Sequence, residues 1–350
     1  LTNFKNYTEA SLSFSEGLNC FIGLNGSGKT NLLDSIYMTC MTKSYFGVSD
    51  RQVVKNEEKF FRLASSLILN DQPVSLVVKY QSGQKKIVEK NKVAYEKMAE
   101  HIGSFPIVMI APDDIKLILE SGETRRRFVD NVLCQDDPLY LQHLIQYNGL
   151  IKQRNAALKQ IRKARTQDPL LIEIYDNQLV APCHYINKKR AEFLAAFLPV
   201  FKGFYIVISD GNEPVDITYR SQINDQEYGA LLNANFEKDY YLEHTSTGIH
   251  RDDLVFEFGG RPLKKIELAQ YEFLRRRKNI KPILLLDDIF DKLDAERVSR
   301  VMSLLQEDTF GQVFISDTDR ERIRKIISSI NKPHHEFMVE EGKIKRYESA

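Results

Sequence analysis

The stretch Gly23-Leu24-Asn25-Gly26-Ser27-Gly28-Lys29-Thr30 constrains this chain more than any other. It fits the pattern G-x-x-x-x-G-K-[ST], and each residue type in that pattern has a task. The glycines let the backbone curl so that successive N–H groups point into one concavity, which a Cβ would obstruct. Lys29 can reach β- and γ-phosphates as a point charge, and the Thr30 hydroxyl can ligate Mg²⁺. Asn19-Cys20-Phe21-Ile22 reads as a short buried strand entering the loop. Leu32, Leu33, Ile36, Tyr37 and Cys40 then recur at helical spacing, so a helix N-terminus faces the bound anion. A glycine-rich turn that binds nothing is the plain alternative, and the strand–loop–helix setting argues against it. Gly23, Leu24, Asn25, Gly26, Ser27, Gly28, Lys29, Thr30 and Asn31 are therefore the candidate nucleotide contacts.

Bulk properties narrow the partners. The 350 residues carry 49 Lys and Arg against 48 Asp and Glu, a formal charge of +1. Any polyanion must then be held by local patches rather than by a global field. Cys20, Cys40, Cys134 and Cys183 are far apart and form no C-x-x-C, so reduced thiols in a cytoplasm are expected, with no zinc site. The histidines show no metal-ligand spacing, which makes a catalytic transition metal unexpected. No apolar run approaches the roughly 20 residues that span a bilayer, so no membrane partner is expected, and no signal peptide is visible. The chain opens at Leu1 without a Met, and a few leading residues are expected to be missing.

Along the chain, Leu1 to Phe14 reads as strands joined by a turn at Lys5-Asn6-Tyr7. Phe60 to Leu69 and Val74 to Tyr80 read as antiparallel strands, with turns at Asn70-Asp71 and Ser82-Gly83. Pro106 to Ala111 is an apolar run that suits a buried strand. After Asp114 the apolar positions follow helical periods, with a cap at Thr124 and breaks at Pro138, Pro169, Pro182 and Pro199. Several medium helices and no long coiled coil are expected there. Strands are expected to return at Phe204 to Ile208 and Val215 to Tyr219. Leu254 to Phe258 followed by Gly259-Gly260 suggests a hairpin. The expectation is an α/β head formed by residues 1–114 plus 204–350, with residues 115–203 inserted as a mostly helical second lobe.

Pro282-Ile283-Leu284-Leu285-Leu286-Asp287-Asp288 describes a buried parallel strand with acids at its carboxyl end, where ligands of open α/β sheets sit. Asp287 is placed to hold Mg²⁺ beside Thr30. Asp288 is the candidate for orienting or deprotonating an attacking water, and with Lys29 it makes the catalytic pair. A helix N-cap for Asp287 and a salt-bridge partner for Asp288 are the structural alternatives. The run from Leu284 to Asp294, including Asp291-Lys292-Leu293-Asp294, resembles the Walker B and D-loop of ABC-type ATPase heads, which dimerise around ATP. Gln312 to Ile315 ending in Ser316-Asp317 falls where those heads carry a switch region. The usual switch histidine is absent.

With those residues assembled, the sequence is similar to the RecF family of bacterial recombination mediator ATPases, relatives of the SMC-type heads. Leu1-Thr2-Asn3-Phe4-Lys5-Asn6-Tyr7 resembles its opening strand and turn. Thr30-Asn31-Leu32-Leu33-Asp34, the Arg-rich start Glu123 to Asp130, and Gly248-Ile249-His250-Arg251-Asp252-Asp253-Leu254 resemble further family motifs. Ile249 stands in place of the usual proline of the last one. The similarity runs over nearly the whole chain. It implies ATP and Mg²⁺ as cofactors and an ATP-dependent homodimer on gapped, double-stranded or junction DNA. It also implies RecO and RecR as partners in loading RecA, and slow, DNA-stimulated hydrolysis. One departure stands out. Family members carry an S-Q-G-Q-Q-like signature loop before the Walker B strand, whereas here Gly259 to Lys265 runs straight into Ile266. Either the loop is deleted, which would abolish cooperative hydrolysis, or a mobile loop belongs between Lys265 and Ile266 and is missing from the sequence as given.

For DNA, the basic runs Arg125-Arg126-Arg127 and Lys188-Lys189-Arg190 are the candidate phosphate contacts, together with Arg154, Lys159, Arg162, Lys163 and Arg165. Solvated helix faces are the alternative. His250 and Arg251 carry either a site role or turn chemistry. No aromatic interleaving marks a stacking platform, so phosphate contacts without base readout are expected. Two other functions fit the same loop. A small-molecule kinase would need an acceptor pocket and a mobile arginine lid, and a clamp that binds ATP without hydrolysing it would need no signature loop.

Overall fold

The structure is a computed structural model. It describes residues 1–112, 121–166, 168, 170–209, 215–223, 227–258, 266–292, 303, 305–306, 308–330 and 332–347. The chain divides into a first unit, Leu1–Asp114 with Lys264–Ala350, and a second, Ile115–Leu263.

The first unit is built on two sheets. One is antiparallel and contains β1 (Thr2–Phe4), β2 (Tyr7–Glu9), β4 (Phe60–Leu69), β5 (Gln72–Gln81), β6 (Ile87–Lys90) and β7 (Val93–Ala94), in the order β2-β1-β4-β5-β6-β7. The β4–β5 turn is Asn70-Asp71, both at positive φ. These short polar side chains tolerate left-handed backbone. The other sheet runs β14-β13-β3-β12-β11-β8, from β3 (Leu18–Ile22), β8 (Ile107–Ile110), β11 (Ile283–Asp287), β12 (Val313–Asp317), β13 (His334–Glu340) and β14 (Lys343–Tyr347). All its pairings are parallel except β13–β14. β3, β8 and β12 are buried at every position, which is why they read as mainly apolar runs, with Asn19, Ser316 and Asp317 as the polar exceptions, rather than as alternating ones.

Helix α1 (Lys29–Met41) packs on strands of both sheets. An apolar stripe on one side only would not serve such a helix, and residues around its circumference, from Leu32 to Met41, are buried. Phe14, Phe21, Phe314 and Phe337 interlock beneath β3. A short helix α2 (Asp50–Val53) follows α1, and α8 (Ile266–Lys278) and α9 (Arg320–Ser329) complete this unit's labelled helices.

The second unit contains α3 (Gly122–Asp136), α4 (Pro138–Lys163), α5 (Leu170–Ser209), α6 (Tyr228–Ala234) and α7 (Phe236–Leu242). Strands β9 (Val215–Arg220) and β10 (Asp253–Phe258) pair antiparallel within it. Four expectations are corrected here. Residues 204–263 belong to this unit and not to the ATPase lobe, because β9 and β10 pair with each other and β9 packs on α5. Phe204 to Ile208 is helix, not strand. Phe193, Phe197 and Phe201 stack in sequence at intervals of four and Tyr205 continues the row at a tilt, a ridge that a helix aligns. Pro182 and Pro199 do not end helices but lie inside the 40-residue α5. Its packing on α4, with Leu179, Cys183 and Ile186 buried, outweighs the lost N–H groups. Pro138 does mark a start, at the first position of α4 behind Asp137, whose carboxylate accepts from Leu139 and Tyr140. The α3 cap is Ser121, three residues before the expected Thr124. Pro169 and Gly259 to Lys265 lie outside the described residues, as do Leu293 and Asp294.

Candidate functional site

The loop after β3 obtains its shape from left-handed glycines. Gly26 has φ 79° and Gly28 φ 117°. A Cβ on Gly28 would meet the Asn6 amide nitrogen at 2.5 Å and the Tyr7 hydroxyl at 2.7 Å. That contact identifies the scaffold of the loop. Tyr7 donates its buried hydroxyl to the Gly28 carbonyl at 3.0 Å, and Asn6 donates to the Ser27 carbonyl at 3.3 Å. Asn31 donates to Asn6 at 2.8 Å. The opening turn, read from sequence as a resemblance only, is thus the prop under the loop. Asp34, fully buried, binds Lys5 at 2.6 Å and accepts from the Ser44 hydroxyl at 2.7 Å and the Tyr45 N–H at 2.8 Å. Its work is to fasten α1 to that turn.

The acids arrive from the other end of the chain by strand register. β11 pairs with β12 so that Asp287 lies opposite Ser316, and β12 pairs with β3 so that Asp317 lies opposite Ile22. Thr30 Oγ1 donates to Asp287 Oδ1 at 3.0 Å across 257 positions of sequence. Ser316 donates to the same oxygen at 2.6 Å. Burial pushes the Asp287 carboxyl above its ordinary range, opposed by those hydroxyls and by Lys29. The Lys29 ammonium, also buried, donates to the carbonyls of Gly23 at 2.9 Å and Leu24 at 3.2 Å. It lies 3.9 Å from Asp288 Oδ2. Asp288 adopts φ 43°, a left-handed conformation uncommon for a side-chain-bearing residue. Its backbone N–H is held by the Ser316 hydroxyl at 3.0 Å. Ser316 is the residue that sequence reasoning undervalued: one hydroxyl orients both acids.

An all-oxygen set, the Thr30 hydroxyl and the buried Asp287 carboxylate, suits a hard ion such as Mg²⁺. Among the described residues no cluster of His, Cys, Asp and Glu has the makings of a separate metal site. All four cysteines are buried and unbridged. No helix among the described residues is long and apolar enough to cross a membrane.

The candidate DNA contacts are divided by the structure. Arg125 is engaged edge-on by Asp253, its Nε and Nη2 at 2.8 and 2.9 Å from the two carboxylate oxygens. Arg126 donates to the Asp252 carbonyl. Arg190 is 3% exposed and donates to Asp130 at 2.9 Å and to the Ile249 carbonyl at 2.8 Å. Arg154 is wholly buried between Asp176 and Asp239. These arginines hold the second unit together, and Arg125, Arg190 and Arg154 are corrected as surface phosphate contacts. A buried guanidinium cannot abandon its carboxylates without a cost of several kcal/mol, roughly 3–5. Arg127 and Lys188 remain exposed, each within 4 Å of a glutamate on its own helix. Lys189 lies 3.3 Å from Asp137. His250 is bound on both ring nitrogens, by the Tyr147 hydroxyl at 2.8 Å and the Thr245 carbonyl at 3.0 Å.

Comparison with known proteins now has a geometry to meet. An AAA domain family model matches residues 1–194. The DNA replication and repair protein RecF of Flavobacterium johnsoniae is 43% identical, over 96% of this chain and 98% of that protein. The chain belongs to the RecF family. The RecF of Cytophaga hutchinsonii is 39% identical, over 99% of this chain and 95% of its own length. The solved structure of the recombination mediator protein RecF with ATP, of the RecFOR pathway, matches with a TM-score of 0.88 at 26% identity. That match covers 99% of this chain and 96% of the other. RecF proteins are DNA-repair ATPases, and the expected α/β ABC-type ATPase head is the fold found. The matched span with the Cytophaga RecF runs to 359 residues, longer than the 350 of this chain. That relative therefore carries residues within the span that this chain lacks.

Proposed function

We propose that the chain is an ATP-dependent DNA-binding protein of recombinational DNA repair, acting in the cytoplasm. ATP bound along Gly23 to Asn31, with Mg²⁺ at Thr30 and Asp287, closes two copies face to face, and the closed dimer holds gapped or junction DNA. RecO and RecR act with it in loading RecA. Slow, DNA-stimulated hydrolysis, with Asp288 orienting or deprotonating the water, resets the dimer. The observation that carries this reading is the Thr30–Asp287 contact beside Lys29 and Asp288. It joins the two halves of a phosphate-and-metal site that are useless apart. Arg127 and Lys188, together with the exposed Lys159, Lys163 and Arg165 of the second cluster, are the remaining candidates for DNA phosphate, and binding is expected to weaken steeply with salt.

Sedimentation velocity and DNA binding with ATP test the reading. Lys29→Ala is expected to lose ATP-driven pairing and the DNA binding that depends on it. Asp288→Asn is expected to pair and stall, with phosphate release lowered about a hundredfold or more. Fast turnover without DNA, or pairing indifferent to Lys29→Ala, contradicts it. A clamp that binds ATP without hydrolysing it is the second reading, and it applies if the S-Q-G-Q-Q-like loop is truly deleted. ATP-dependent pairing with no phosphate release from the intact chain would select it.

A further inference from the structure

The sheet that carries the phosphate loop ends in β14, the outer member of the order β14-β13-β3-β12-β11-β8. Glu341 and Gly342 form the turn from β13, at φ 48° and 76°, the paired left-handed geometry of a two-residue type I′ hairpin. That turn decides which backbone groups face outward. The residues flanking it, Glu340 and Lys343, make a hydrogen-bonded pair, and such pairs alternate along an antiparallel ladder. Lys343, Lys345 and Tyr347 therefore direct their N–H and C=O groups to β13. Those of Ile344 and Arg346 point away from it, and among the described residues no backbone group meets them. The hairpin itself is firmly seated. The Gly342 N–H donates to the Ser27 carbonyl at 3.1 Å, and a Cβ on Gly342 would meet the Asn6 carbonyl oxygen at 3.0 Å. A partner strand would meet a template already in place, which lowers the ordering cost of pairing.

Side chains then select the partner. Lys343 and Lys345 project from one face of β14 and Arg346 from the other, all exposed, and among the described residues no ion pair joins them to a carboxylate. Arg320 adds a cation at the far end, its guanidinium 4.0 Å from the Tyr347 ring centroid. The neighbouring acids lie elsewhere: Glu340 and Glu341 are at the turn, and Glu336, opposite Tyr347, is buried. Lysines on an edge strand repel a second copy of that strand and attract one that carries carboxylates. We propose that β14 is a docking edge for an extended, acidic segment of a partner protein, which joins the sheet as a further strand. Backbone pairing with Ile344 and Arg346 supplies the attachment, and carboxylates opposite Lys343 and Lys345 supply the selection. The proposal stands apart from the nucleotide site and from the basic helices of the second unit.

A fluorescein-labelled peptide alternating Glu and Val, titrated against the intact chain and followed by anisotropy, tests it, with a peptide alternating Lys and Val as the control. The acidic peptide should bind and the basic one should not. Binding should slow amide hydrogen exchange at Ile344 and Arg346, the N–H groups that face outward, by about tenfold or more. Arg346→Pro removes one of those groups without touching the β13 ladder, and Lys345→Glu reverses one selecting charge. Each should weaken the peptide by about tenfold. Should the proline variant melt early, the exchange measurement on the unaltered chain decides alone. If the acidic peptide does not bind, the lysines only keep the edge from pairing with itself, and the proposal is overturned. Peptide binding that leaves the Ile344 and Arg346 amides unprotected overturns it too. Loss of duplex DNA binding in Lys345→Glu, with no peptide bound, would assign the strand to phosphate instead.

Discussion

At Asp287, the proposed metal ligand, folding stability and the proposed role pull in opposite directions. Burial raises its folded pKa above the unfolded value, with Ser316, Thr30 and Lys29 opposing and Asp34 adding to the rise. The sign follows from linkage: the ionised form is disfavoured in the folded chain, so the penalty is full at neutral pH and is relieved as pH falls through the folded pKa. Asp287→Asn keeps an oxygen to accept from Thr30 and Ser316 and removes the buried charge. It should raise the melting temperature of the nucleotide-free chain by a few degrees, on the order of 1 kcal/mol, while Mg²⁺-ATP binding is lost. A lower melting temperature would show that the charge contributes to folding. At the same scale, Lys29 and Asp287 were legible because their neighbours in sequence announce them. Ser316 and Tyr7 were not, since a serine ending a strand and a tyrosine in a turn have no chemistry until register and fold bring them to a carboxylate and a carbonyl.

Among the elements, the segment around His250 ties the second unit together by hydrogen bonds, in a setting whose burial disfavours a second proton on the ring. Burial pushes the His250 imidazole down to about 4, with the Thr245 carbonyl opposing and Arg251 and Arg126 adding to the fall. Tyr147 and Asp239 also face this neighbourhood. Because the folded pKa lies below the ordinary 6.5, the unfolded chain takes the proton first. Stability is therefore full above about pH 6.5 and declines towards pH 4, by at most roughly 3 kcal/mol from this residue. Urea melts at pH 7 and pH 5 should show that loss, and His250→Gln should flatten it. An unchanged slope in the variant would assign the acid sensitivity elsewhere. The elements also show where periodicity misleads. Strands β3, β8, β11 and β12 could be read directly, since burial on both faces leaves short, mainly apolar runs without alternation. The aromatic run near Phe204 has high strand propensity, yet it extends a helix because Phe193, Phe197 and Phe201 already set the ridge. Lys188-Lys189-Arg190 reads as one basic cluster, but on a helix its members face different ways. Arg190 turns inward to Asp130 and Lys188 outward to solvent.

At the scale of the whole molecule, the account depends on two stretches more than 250 positions apart acting as one site. Their sequences suggested each half, and β11–β12–β3 register supplies the joint. A sheet of non-local parallel strands can bring such residues within hydrogen-bond distance only when the first unit is fully folded, so nucleotide should also protect that unit against unfolding. The direct measurement is a double-mutant cycle on Mg²⁺-ATP affinity, with Thr30→Ala and Asp287→Ala made singly and together. If both act through one bound ion and phosphate, the double variant should lose little more than the worse single one, a coupling of about 1–3 kcal/mol. Losses that simply add would mean that the two residues serve separate purposes and that the shared site does not exist.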